Sequence, residues 1–204
     1  MLIAALAANI IIVVCELAAL CRLKNKLDIF KYYTYQQNLL ALLVSIGFCG
    51  CAAANLLFSR PVPEFVSGLR YIAASGLAAT MFIYFVFLSA KEGNRLSYKD
   101  FVKGFSPKMG NFILHILCPA LSLLSFLLFE RQLTLEKTLW TVIVAIPSSL
   151  YWLVYLLLSA AKLWEEPYDF SVKKGKYSAL LEVLKMIALP VSFMLISMLL
   201  WNIR

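Results

Sequence analysis

Six stretches of this chain are almost continuously apolar, and polar residues gather in the short segments between them. The stretches run over Leu2–Cys21, Tyr32–Phe58, Val66–Ala90, Met109–Phe129, Thr138–Ala161 and Ser178–Asn202. Each is long enough for a helix to cross a bilayer core, which takes about 20 apolar residues. None alternates with the period of two that a membrane barrel strand requires. A segment in hydrocarbon has to close its own backbone hydrogen bonds, so these runs predict helices. The expected fold is all-α: one polytopic membrane domain over residues 1–204, a bundle of six transmembrane helices.

Composition sharpens this picture. Of the 204 residues, 62% are hydrophobic and only 15% are charged, against about 25% charged in an average soluble domain. The first run is not preceded by Lys or Arg, and Leu20 spoils a small-residue cleavage site before Cys21. It therefore reads as a retained first helix, not a cleaved signal peptide.

Charge supplies an orientation. Arg22, Lys24, Lys26 and Lys31 follow the first run, while Lys91, Arg95, Lys99, Lys103 and Lys108 follow the third. Lys162, Lys173, Lys174 and Lys176 follow the fifth. The other side holds Arg60, Arg70, Arg131, Lys137 and Arg204, with Lys185 set inside the last run. Positive residues concentrate on the cytoplasmic side of membrane proteins. Loops 22–31, 91–108 and 162–177 are thus expected in the cytoplasm of a multi-pass cell-membrane protein, with both termini outside. The net charge of +8 then reflects topology and contact with anionic membrane lipids. With no basic helix or aromatic-basic motif, a nucleic-acid partner is not expected.

Polar residues inside apolar spans are costly and point to function. They are Glu16, Thr34, Gln36, Gln37, Asn38, Asn111, His115, Glu182 and Lys185. All fall within about two turns of the expected cytoplasmic boundary, where they could line one polar pocket. Structural roles stand beside this: Thr34 as an N-cap, Glu182 and Lys185 as an i,i+3 pair, Gln37 and Asn38 as interhelical hydrogen-bond donors. Cys15, Cys21, Cys49, Cys51 and Cys118 show no disulfide or metal spacing and suit small apolar packing.

His115 is the chain's single histidine, and imidazole is the usual proton shuttle near neutral pH. Pro119 stands four residues later and cannot donate to the His115 carbonyl, so the helix is expected to open beside the imidazole. One histidine excludes a bis-histidine haem, and no zinc ligand spacing or other cofactor signature is present. A histidine can activate a threonine hydroxyl within hydrogen-bond reach, which makes Thr34 and His115 a candidate nucleophile–base pair. Pro147 predicts a kink in the fifth span.

A family resemblance rests on the same residues. Lys31-Tyr32-Tyr33-Thr34-Tyr35-Gln36-Gln37-Asn38-Leu39 resembles the threonine motif of the androgen-induced-protein family. Asn111 through His115 to Pro119 resembles its histidine motif, and Trp164-Glu165-Glu166-Pro167-Tyr168-Asp169-Phe170 its aromatic-proline segment. The His-x-x-x-Pro spacing is closer to the family's prokaryotic six-span relatives. Characterised members are threonine hydrolases of fatty acid esters of hydroxy fatty acids. The resemblance implies Thr34 as nucleophile, His115 as base and an amphipathic fatty-acid ester as substrate. Gln37, Asn38 and Asn111 are candidate oxyanion donors, and Glu16, Glu182 and Lys185 candidate orienting or pocket charges. The competing expectation is a non-enzymatic transporter or lipid-binding scaffold whose solute site is lined by the same groups.

Overall fold

A computed structural model describes residues 1–23, 28–85, 107–130, 137–163 and 178–203. Among these residues the chain is helical, with no strand. The first apolar run forms α1 (Leu2–Leu20). A short turn, α2 (Asp28–Lys31), leads into α3 (Tyr33–Phe58), and α4 follows over Glu64–Ile83. The α3–α4 connection is tight. Ser59 takes a left-handed conformation at φ 54°, its N–H returning to the Asn55 carbonyl, as helix C-termini commonly do. Pro63 then caps α4 from an extended conformation.

The fourth run is one helix interrupted twice. α5 (Pro107–Phe112) passes into a wide π turn at Ile113–Leu117, then α6 (Cys118–Leu124), then a second π turn at Ser125–Phe129. The fifth run is broken into α7 (Lys137–Ile143) and α8 (Ile146–Ala160), with Pro147 just inside the second piece. There its missing N–H costs no helical hydrogen bond. The last helix is α9 (Ser178–Ile203), with Pro190 inside it.

Among the described residues, four helices are long and apolar enough to cross a membrane: Leu2–Leu20, Tyr33–Phe58, Glu64–Ile83 and Lys108–Phe129. Leu139–Tyr155 and Pro190–Ile203 are shorter apolar stretches. The buried residues of α1 (Ala5, Asn9, Ile12, Glu16, Ala19) recur every three or four positions, while Ile3, Ile10, Val14 and Leu17 are exposed. A face of bare isoleucine, valine and leucine is what a lipid-contacting helix presents.

α4 is the central helix, with 78% of its apolar window buried. Its sequence explains this: Gly68, Ala73, Ala74, Ser75, Gly76, Ala78 and Ala79 let neighbours approach closely. α3 runs antiparallel to it, with Ala41 and Val44 against Ala73 and Leu77. α1 lies antiparallel to α3: Ala5 meets Phe48 and Ala52, and Ala19 and Leu20 share a cluster with Leu42. α9 closes the other side of α4, where the Tyr71 hydroxyl donates to the Ser197 carbonyl at 2.7 Å.

Candidate functional site

Thr34 lies in the first turn of α3 and is buried. It is not the cap, since Tyr32 holds that position in an extended conformation. Thr34 shares the inward face of α3 with Gln37, Asn38, Ala41, Ser45 and Phe48. Its carbonyl accepts a hydrogen bond from the Asn38 Nδ2 at 2.7 Å. The Gln37 carboxamide lies directly over the Cα of Gly76, in the space a Cβ would fill.

His115 sits in the middle of the first π turn. The Cys118 N–H reaches back to the Ile113 carbonyl, five residues earlier, which is the bond that defines the wide turn. Pro119 is the physical reason: it has no N–H to give the His115 carbonyl. The imidazole stacks on the Tyr84 ring with centroids 4.6 Å apart and 20° between planes. Its Nδ1 is buried and has no hydrogen-bond partner.

α4 is a shared neighbour of the helix that carries Thr34 and of the π turn that carries His115. Ala79 of α4 packs with Tyr33, Gly76 with Gln37, and Tyr84, just beyond α4, with His115. Asn111 is half-buried in the last turn of α5, four residues before the imidazole. Glu16 is fully buried on α1, with the Cys118 thiol beside it. Glu182 and Lys185 lie on α9, but their side chains fall outside the described residues, as does the 164–170 segment.

A cavity of about 300 Å³ opens between the start of α3 and α8. Phe30, Lys31, Gln37, Leu40, Tyr151 and Tyr155 contribute to its wall. Thr34 and His115 do not line it. Gln37 joins the two regions, since it reaches the cavity wall and stands one turn from Thr34 on the same helix.

The largest polar feature was not anticipated from the sequence. Arg70, counted there among the charges of the non-cytoplasmic side, is instead fully buried in α4 and paired with the fully buried Glu130. Its Nη2 donates to Glu130 Oε1 at 3.0 Å and its Nε to Oε2 at 3.3 Å. Nη1 reaches Ser45 and Ser122. Ser125 donates to Glu130 Oε1 at 2.7 Å, and Asn9 Nδ2 at 3.1 Å. The network ties α1, α3, α4 and the fourth span together, and Phe48 lies 5.9 Å from the guanidinium. Its signal in the sequence was an arginine several residues inside an apolar run. Buried polar groups are thus not confined to the end of the bundle that carries Thr34.

The fold and site define an all-helical protein of membrane type whose apolar exterior encloses a polar interior. No protein-family model, curated protein or solved structure matches the chain.

Proposed function

We propose that this chain is a six-span intramembrane hydrolase of lipid esters, with Thr34 as nucleophile and His115 as its base. The observation that carries the reading is the His115 Nδ1, buried without a hydrogen-bond partner in a widened turn. Buried polar atoms serving structure alone are nearly always bonded. An unpartnered imidazole nitrogen, with its ring plane held by Tyr84, is suited to taking a proton.

In this mechanism the Thr34 Oγ attacks the ester carbonyl while His115 removes its proton. The tetrahedral intermediate collapses, and the imidazolium returns the proton to the departing alcohol. Water activated by the same imidazole then releases the fatty acid from Thr34. Gln37 and Asn111 are the candidate donors to the oxyanion. Asn38 is less suited, because its Nδ2 already donates to the Thr34 carbonyl. The cavity beside α3 suits an acyl chain, with Lys31 in its wall as a cation for an anionic head group. The four long apolar helices, together with the two shorter stretches, are compatible with six spans. The basic loops favour the Thr34 end facing the cytoplasm.

Purified protein in nanodiscs is expected to hydrolyse a long-chain fluorogenic ester and to be acylated or phosphonylated on Thr34. Thr34→Ala and His115→Ala are each expected to lower turnover by at least about 100-fold. Labelling that survives Thr34→Ala contradicts the assignment.

A second reading, a non-enzymatic transporter, draws support from the Arg70–Glu130 network, since ionisable groups in bundle interiors often mark solute paths. It predicts solute flux that Thr34→Ala leaves unchanged.

A further inference from the structure

Apart from the Arg70–Glu130 network and the Thr34–His115 pair, the bundle holds a third polar locus. Ala19 and Leu20 of α1, Leu42 of α3, and Leu114 and Cys118 of the fourth span pack as one cluster. Glu16 lies one turn before Ala19 and Leu20, and Asn38 one turn before Leu42. In the antiparallel register that sets Ala5 of α1 against Phe48 and Ala52 of α3, Glu16 stands at the depth of residues 37–41, which include Asn38. Both are 0% exposed.

No nitrogen or oxygen donor reaches either carboxyl oxygen of Glu16, which has only the Cys118 thiol beside it, and Asn38 Oδ1 has no hydrogen-bond partner. The amide of Asn38 is oriented by its Nδ2, which donates to the Thr34 carbonyl, so the oxygen is the group left over. Gln37 Oε1 and Ser75 Oγ are likewise buried and unpartnered. These groups share one chemistry: apart from the Ser75 hydroxyl, which can also donate, they are acceptors only. Ala19, Leu20, Leu42 and Leu114 wall the junction, the Cys118 thiol beside Glu16 is a weak donor, and the buried guanidinium of Arg70 is already engaged by Glu130, Ser45 and Ser122. What is missing at the junction is one positive charge.

We propose that Glu16 and Asn38 form a buried binding site for one small cation, a proton or Na⁺. A carboxylate with amide oxygens is a hard, all-oxygen donor set suited to an alkali-type ion, and its single negative charge matches a single positive one. In the proton-bound form the carboxylic O–H of Glu16 donates to Asn38 Oδ1. In the Na⁺-bound form the same oxygens coordinate the ion, with Gln37 and Ser75 the next acceptors along α3 and α4. The titratable groups facing Glu16 are Cys15 on its own helix and Cys118 on the fourth span, with His115 three residues before Cys118. From α3 the facing group is the neutral Asn38, and from α4 the charged group is Arg70, held in its ion pair.

The test is thermal unfolding of the full chain in zwitterionic nanodiscs, followed by tryptophan fluorescence. One series raises Na⁺ at constant ionic strength against N-methyl-glucamine; the other lowers pH without Na⁺. Na⁺ occupancy predicts a saturable rise in Tm, about 3 °C at a tenfold excess over Kd. Proton occupancy predicts a rise on acidification alone. Glu16→Gln is expected to abolish whichever response the native chain gives, and Asn38→Leu to weaken it about tenfold. A Glu16→Gln chain that responds like the native one, or a native chain that responds to neither, overturns the proposal. Where either variant fails to fold, carbodiimide modification of native Glu16, mapped by peptide mass, replaces it. Modification slowed by Na⁺ or by raised pH supports the site; a rate indifferent to both overturns it.

Discussion

The imidazole of His115 lies almost flat on the phenol ring of Tyr84, their centroids 4.6 Å apart. One ring stands in the π turn of the fourth span and the other just beyond the end of α4. The contact fixes the plane of an imidazole whose Nδ1 has no hydrogen-bond partner. An aromatic stack is worth about 0.5–1.5 kcal/mol beyond its burial. Tyr84→Ala is therefore expected to slow covalent labelling of Thr34 by about 2- to 10-fold, and Tyr84→Phe to leave it near the native rate. Equal loss in both variants would mean that the hydroxyl, not the stack, matters.

The Arg70–Glu130 pair makes a separate prediction about stability. Both side chains are fully buried, so removing one leaves an uncompensated charge. Breaking such a pair costs about 3–5 kcal/mol, whereas replacing both partners by apolar residues is often neutral or better. Glu130→Gln and Arg70→Met should each lower the Tm in nanodiscs substantially. The double variant Arg70→Met/Glu130→Leu should recover most of the loss. A double variant no more stable than the singles would show that Ser45, Ser122, Ser125 and Asn9 depend on the charges themselves.

Gly76 is a point of close approach, because a Cβ there meets the Gln37 carboxamide. Gly76→Ala is expected to destabilise by about 1–3 kcal/mol through overpacking. Shortening the opposing side chain in Gly76→Ala/Gln37→Ala should relieve part of this. Chemical denaturation of both variants measures the coupling, and additive losses would place the strain elsewhere.

Pro119 holds the π turn open by withholding an N–H from the His115 carbonyl. Pro119→Ala supplies that N–H and allows ordinary α register, which turns the imidazole relative to Tyr84. Labelling of Thr34 is expected to fall by about tenfold or more, with helical circular dichroism unchanged. Native labelling in this variant would remove the π turn from the mechanism.

The sequence made the helices legible because a continuous apolar run is a local property. α1 and α3 begin within a residue of their expected starts, Leu2 and Tyr32, and the fifth span breaks next to Pro147 as a proline requires. Pro119 likewise announced the disturbance at His115. Helix rotation was not legible, since it is set by which faces pack against neighbours far away in sequence. Arg70 illustrates the gap. Its position near the end of an apolar run reads as a boundary charge, and its partner Glu130 is sixty residues away. Asn9 is not among the polar residues the sequence singled out, yet the bundle places it on the same carboxylate. The acceptors of Glu16 and Asn38 were visible as residues, but their shared lack of nitrogen or oxygen donors appears only once the neighbours are in place.

The central claim is that the Thr34 hydroxyl and the His115 imidazole face one chamber. The most direct measurement pairs Thr34→Cys with His115→Cys in a chain whose five native cysteines, all free thiols, are replaced by alanine. A short bifunctional thiol reagent is then added in nanodiscs. The account predicts rapid intramolecular cross-linking, slowed by a bound long-chain ester analogue. Both thiols reacting singly, without a cross-link at any reagent concentration, would contradict it.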